Sequence, residues 1–185
     1  MRPRPTPKFG MDLGGVLNMH TGDAPCAEWH TTVLSEEPGA SACVKALVHT
    51  LGPENVFIIS TASGSMKVQA EWWLHDTMHI TSTTGLLAEN IHFVPKRARA
   101  SGKEPVLANL GITHYVDDND SILRACWGHG PCRANLQQLF YFGRSGMGPT
   151  PPRFRHWTAA ANIAEVSAVP NWEALVGKLN FQLRW

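Results

Sequence analysis

Short β-branched and aromatic runs that alternate with segments of helical spacing constrain this chain more than any other feature. Candidate strands fall at Lys8 to Asp12, Asn55 to Ser60 (NVFIIS), Asn90 to Val94 (NIHFV), Thr113 to Asp117 (THYVD), Leu136 to Phe142 (LQQLFYF) and Ile163 to Ser167. Between them, Ser41 to Leu51 sets Val44, Leu47, Val48 and Leu51 on one face before Gly52-Pro53 stops it. Gly64 to His75, Gly102 to Leu110, Ser121 to Trp127 and Trp172 to Leu179 are helical candidates by the same criterion. Strands alternating with helices of this length predict βαβ units and a parallel sheet covered on both faces. The expected class is a three-layer, Rossmann-like α/β fold.

At 185 residues, with no internal repeat, the chain is expected to form one domain. Residues 1–7 read as a loose leader, because proline interrupts the basic residues and no apolar stretch of a secretory signal follows. Gly143 to Arg155 (GRSGMGPTPPRFR) reads as a long loop. A formal net charge of +1 supplies no strong field toward nucleic acid or acidic membranes. No run approaches the roughly 20 apolar residues that a membrane span requires. Cys26, Cys43, Cys126 and Cys132 form no tight framework and are expected to be reduced thiols in a cytoplasmic protein. His20, Cys26 and His30, or Cys126, His129 and Cys132, offer a zinc alternative, but neither group has the paired two-residue spacing of a zinc finger.

In open parallel sheets, ligands bind beyond the carboxyl ends of the strands. Here those ends are polar. The first strand delivers Asp12, followed by Gly14-Gly15. The second delivers Ser60 and Thr61. THYVDDND delivers Asp117, Asp118 and Asp120, and Lys103 stands at the start of the helix leading into it. Each residue also has a plain reading. Asp12 and the glycines suit a tight turn, and Ser60 or Thr61 suits a helix N-cap. Lys103 suits a solvated helix start, with Lys96 a competing candidate for its role, and the acids suit a helix dipole. What sets the plain readings aside is that they must all hold together and in this order.

The ordered set FGMDLGGVL, VFIIS, SGKEPVLANLG and THYVDDND resembles the four motifs of the haloacid dehalogenase-like (HAD) hydrolase superfamily, over roughly Lys8 to Arg124. The resemblance implies metal-assisted phosphoryl transfer through an aspartyl-phosphate. Asp12 would be the nucleophile. Mg²⁺ would be held by Asp12, the Gly14 carbonyl and Asp118, with Asp117 supporting the metal shell. Ser60, with Thr61 and Gly15, would bind phosphoryl oxygen, and Lys103 would bridge Asp12 and the phosphate. The chemistry needs such residues in any case. A carboxylate attacks a phosphate dianion only when Mg²⁺ and an ammonium neutralise the repulsion. Hydroxyl and N–H donors then carry the equatorial charge.

One position departs from the pattern. Many phosphatases of this superfamily carry a second aspartate two residues after the nucleophile as general acid and base, and here that residue is Gly14. Three readings follow: a slower phosphomonoester hydrolase, a catalytically silent relative that binds Mg²⁺ or a phospho-ligand, and a dehalogenase-type hydrolase. His20 and His30 are candidates to replace the missing acid.

The segments 18–54 and 62–100 are the candidate places for a small cap, and both are too short for a large lid. Relatives with small caps act on macromolecules or close the site by oligomerising. The expected partner is therefore a phosphorylated small molecule, with nucleotides among the candidates, or a phosphorylated macromolecule. Trp72 and Trp73 could stack on a base, although a Trp pair on a helix is mainly core packing. Arg153, Arg155 and His156 could clamp a phosphate from a loop that otherwise reads as solubilising surface.

Overall fold

The computed structural model of the chain describes residues 6–19, 34–95, 99–128, 131–143 and 165–182. The candidate strands become β1 (Phe9–Met11), β4 (Val56–Thr61), β5 (Ile91–Val94), β6 (His114–Asp117), β7 (Gln138–Phe142) and β8 (Glu165–Val169). The helices are α1 (Ala40–Leu51), α2 (Ser65–Trp72), α3 (Ile80–Thr84), α4 (Arg99–Leu110), α5 (Asp120–Gly128) and α6 (Trp172–Gln182). Two-residue strands β2 (Asn18–Met19) and β3 (Ser35–Glu36) pair as a separate antiparallel hairpin. Neither this hairpin nor α3 has a period long enough to read in the sequence.

The six main strands form one sheet in the order β5-β4-β1-β6-β7-β8, and every pairing in it is parallel. Their buried apolar residues sort by strand alternation into two layers. Phe9, Met11, Val56, Ile58 and Val116 face α1, α6 and the α2–α3 segment. Phe57, Ile59, Tyr115 and Leu139 face α4 and α5. Helices on both faces of a parallel sheet make the expected three-layer, Rossmann-like α/β fold.

From β1 the chain steps outward to β4 and β5, then returns to place β6 on the other side of β1. The strand order therefore reverses between β1 and β6. At such a reversal the connections diverge to opposite faces and leave a crevice above the strand ends.

Within segment 18–54, α1 buries Ala40, Cys43, Val44, Leu47 and Leu51 against the sheet, so it belongs to a layer of the fold. Within 62–100, Ala70, Trp73, Leu74 and Ile80 do the same. Trp73 is 1% exposed and donates from Nε1 to the Leu34 carbonyl at 2.9 Å, whereas Trp72 is 59% exposed. Cys43, Cys126 and Cys132 are buried free thiols. Cys26, His20, His30, Lys96, His129, Arg153, Arg155 and His156 lie outside the described residues. Among the described residues, no helix is long and apolar enough to cross a membrane.

Candidate active site

Register brings the first acids together. Gly10 pairs with Tyr115 and Met11 with Val116, so the next residues out, Asp12 and Asp117, stand on neighbouring strand ends at the reversal point. The Asp12 N–H donates to the Val116 carbonyl at 3.0 Å, carrying the ladder one step past β1. Alternation then sends the Asp12 side chain to the face of Tyr115, Asp117 and α4.

Lys103 meets them there. It lies one turn inside α4, which begins at Arg99, earlier than the sequence suggests. The side chain is fully buried, and Nζ lies 2.9 Å from Asp12 Oδ1 and 2.8 Å from Asp117 Oδ2. The third neighbour is the Tyr115 hydroxyl, 2.9 Å from Nζ. Tyr115 in turn donates to Asp117 Oδ2 at 2.7 Å, and the Asn119 N–H donates to Asp117 Oδ1 at 2.8 Å. Asp12 Oδ1 also accepts the Leu13 N–H at 2.7 Å, which leaves Oδ2 outside both bonds.

The electrostatics follow from this enclosure. Burial raises the Asp12 pKa to about 7; Lys103 opposes the rise while Asp117 and Asp118 add to it. Burial alone pulls Lys103 down, but attraction to Asp117 and Asp12 and its bonds to both outweigh that and hold the ammonium protonated. Burial and the charge of Asp117 push the Tyr115 phenol well above its ordinary range, so it stays a neutral hydroxyl.

One carboxylate oxygen each from Asp12, Asp117 and Asp118 lies within 4.8 Å of the others. Opposite oxygens around a six-coordinate Mg²⁺, with bonds of about 2.1 Å, stand about 4.2 Å apart, so small adjustments admit a hard divalent cation. Asp117 accepts from Lys103 and Tyr115 at Oδ2 and from the Asn119 N–H at Oδ1, so its carboxylate is held in place by three donors. The acid trio could bind a metal.

The pleat separates the two hydroxyls. Thr61 shares the parity of Phe57 and Ile59, the layer of α4, whereas Ser60 shares that of Ile58 on the opposite face. Thr61 Oγ1 is buried and has no hydrogen-bond partner among the described residues. The expected phosphoryl ligand Ser60 and its neighbour Thr61 thus stand on opposite faces of β4.

Gly15 adopts φ 76°, which an L side chain resists, and its N–H donates to Asn18, at 3.0 Å to the carbonyl and 3.2 Å to Oδ1. That N–H is committed to the turn. Gly14 bridges to Asn18, and α6 fastens the same turn through Trp172 Nε1, which donates to the Val16 carbonyl at 2.9 Å. Tyr115 is the residue of this site that sequence reading missed. A tyrosine in a strand reads as an ordinary β-former, and only its opposite number, a glycine inside an apolar strand, hinted otherwise.

No family model matches the chain, and no curated protein matches it. Among solved structures, that of DsGPDH of Dunaliella salina is similar, with a TM-score of 0.57 and 17% identity over 94% of this chain. This chain spans only 29% of that one. The likeness is one of fold, the Rossmann-like arrangement described above.

Proposed function

We propose that this chain is a HAD-like, Mg²⁺-dependent phosphomonoester hydrolase that works through an aspartyl-phosphate on Asp12. The observation that carries this reading is the meeting of Asp12, Asp117 and Asp118 with a buried ammonium at the sheet's reversal point. A buried lysine bonded to two carboxylates is a costly structure to assemble for stability alone. It is a useful one for an anionic reaction.

In this reading the free oxygen of Asp12, Oδ2, attacks phosphorus, and the bond from phosphorus to the ester oxygen breaks. Lys103 favours the ionised form of Asp12 against its burial and offsets charge on the phosphoryl group. Thr61 Oγ1, buried and without a partner among the described residues, donates to a phosphoryl oxygen, a role the resemblance gave first to Ser60, whose side chain has the parity of the opposite face. Mg²⁺, held by Asp12 and Asp118 with the Gly14 carbonyl and backed by Asp117, supplies charge neutralisation at the phosphoryl oxygens. Water then hydrolyses the aspartyl-phosphate. Because residue 14 is glycine, the leaving oxygen takes its proton from solvent, and esters with acidic leaving groups are the better substrates.

The substrate class is a phosphorylated small molecule or macromolecule that reaches the strand-end crevice. The acid run VDDND, similar to that of small nucleotidases of the superfamily, keeps nucleotides among the candidates. The same glycine favours a second reading, a silent Mg²⁺ or phospho-ligand binding protein on this scaffold.

Hydrolysis of p-nitrophenyl phosphate with Mg²⁺ separates the two, because p-nitrophenolate needs no acid. Turnover that disappears in Asp12→Asn supports the hydrolase. No turnover in wild type, with Mg²⁺ still bound, supports the binding protein.

A further inference from the structure

We propose that Tyr115 is a positioning residue for the reaction proposed above, on which its role rests: its hydroxyl fixes the Lys103 ammonium against Asp12, in a slot that Gly10 leaves open. An ammonium has three N–H bonds to place, and Lys103 is fully buried. Two acceptors, Asp12 Oδ1 at 2.9 Å and Asp117 Oδ2 at 2.8 Å, take two of them. The Tyr115 hydroxyl at 2.9 Å takes the third, so that rotation about the Cε–Nζ bond is opposed by three bonds at once. Its own proton is directed to Asp117 Oδ2 at 2.7 Å, so toward Lys103 the oxygen acts as acceptor. The same bond helps pin Asp117.

A second observation, from the neighbouring strand, is independent of these bonds. Gly10 stands directly opposite Tyr115 in the β1–β6 register. A Cβ on Gly10 would lie 3.1 Å from Tyr115 Cδ2 and 3.3 Å from side-chain atoms of Ile112 and Ile59. Gly10 does not adopt positive φ, so backbone conformation does not call for glycine there; the ring does. Two residues before its aspartate, β1 gives up a side chain to seat one aromatic ring. Phenylalanine would fill the slot as well. Tyr115 belongs to the apolar layer of Phe57, Ile59, Leu107 and Leu123, and a hydroxyl carried into that layer is favourable only when bonded, as this one is to Lys103 and Asp117.

The test uses the full chain and two readouts. With ¹⁵N-lysine labelling, the buried Lys103 ammonium is expected to give a slowly exchanging Nζ–H signal, assigned by its absence in Lys103→Arg. In Tyr115→Phe that exchange should quicken by about ten- to a hundredfold, the equivalent of one hydrogen bond to a charged group. Leu139→Ala, a cavity in the same core layer, should leave it slow. In p-nitrophenyl phosphate hydrolysis with Mg²⁺, Tyr115→Phe should lower kcat by about ten- to a hundredfold with KM within about twofold, because the bond orients the ammonium and does not touch the substrate. Should Tyr115→Phe fail to fold, Gly10→Ala, which displaces the ring but keeps the hydroxyl, should also quicken the exchange. A folded Tyr115→Phe, or in its absence a folded Gly10→Ala, with wild-type exchange overturns the positioning role. Equal hydrolysis by wild type and Asp12→Asn, or none by either, overturns the proposed reaction instead and leaves the exchange to judge the geometry.

Discussion

Asp12 and Lys103 form an enclosed ion pair, with Nζ 2.9 Å from Oδ1, the lysine side chain at 0% exposure and the aspartate side chain at 12%. Each favours the charged form of the other, Lys103 against the burial of Asp12, and Asp12 together with Asp117 against the burial of Lys103. Removing the ammonium leaves Asp12 beside Asp117 without the counter-charge that they share, where burial already disfavours the anion. Breaking a buried pair from one side typically costs about 3–5 kcal/mol. Lys103→Met should therefore lower the urea midpoint sharply in chelator. Mg²⁺ should recover more stability in the variant than in wild type, because the ion replaces the missing positive charge. Equal Mg²⁺ shifts in the two proteins would mean that the cation and the ammonium do not share these carboxylates.

The raised Asp12 pKa, about 7 against an ordinary 3.8, makes stability depend on pH. A carboxyl whose folded pKa exceeds its unfolded value stabilises the fold fully below the unfolded value. That contribution fades as pH rises from about 4 to about 7 and is gone above it. His114 works the other way. Burial lowers its pKa to about 4 from 6.5, so its contribution is present above 6.5 and is lost as pH falls through 4. The two slopes offset each other in the total curve, and the difference between wild type and Asp12→Asn isolates the first. Without metal, that difference should shift against wild type as pH rises through this window, then level off. Mg²⁺ should flatten it, and Mg²⁺ binding below about pH 7 should release a proton, measurable by calorimetry in buffers of different ionisation enthalpy.

The legible parts of the molecule are those where one residue's chemistry agrees with a local period. The apolar runs at β1, β4 and β6 fix the strands, and a carboxylate just past an apolar run has few places to go but the rim. Lys103 could be read as a helix residue near that rim, although the boundary of α4 could not, since Gly102 and Pro105 mask its first turns. What stayed hidden depends on register. Whether Thr61 or Ser60 faces the lysine is a matter of one residue of parity, and parity has no meaning until β4 is paired with β1. The match of Gly10 with Tyr115 spans 105 positions, and only the β1–β6 alignment joins them. The β2–β3 hairpin has two residues on each side, too few for alternation to register.

Gly15 holds the turn after Asp12 in a left-handed conformation at φ 76°. Gly15→Ala forces a Cβ into that region, at a cost of roughly 1–2 kcal/mol. The turn answers to several restraints, among them the Leu17 N–H to the Leu13 carbonyl at 2.9 Å and the Trp172 bond to Val16, so the variant should still fold. The strain should instead appear as displacement of the chain beside Asp12. Expected outcomes are a urea midpoint lowered by about that energy and a larger proportional loss in turnover or Mg²⁺ affinity. A stability loss with both functions intact would detach this turn from the site.

Gly14 is the position where the chain departs from the phosphatase pattern, and it can be given back. Unlike Gly15, Gly14 does not have a positive φ, so its backbone admits an L side chain without conformational strain. It is half-buried and two residues from Asp12, the place where the pattern that the chain resembles carries its general acid. Gly14→Asp should therefore leave p-nitrophenyl phosphate turnover little changed, because that leaving group departs as a stable anion. Alkyl phosphates, whose alkoxides must be protonated as they leave, should gain by about 10²-fold, the lower end of what a positioned general acid contributes. The telling quantity is the ratio of kcat/KM for the two esters in variant and wild type, since a general loss of folded or metal-bound protein cancels from it. A folded, Mg²⁺-binding Gly14→Asp with an unchanged ratio would mean that another group already delivers the proton in the natural chain.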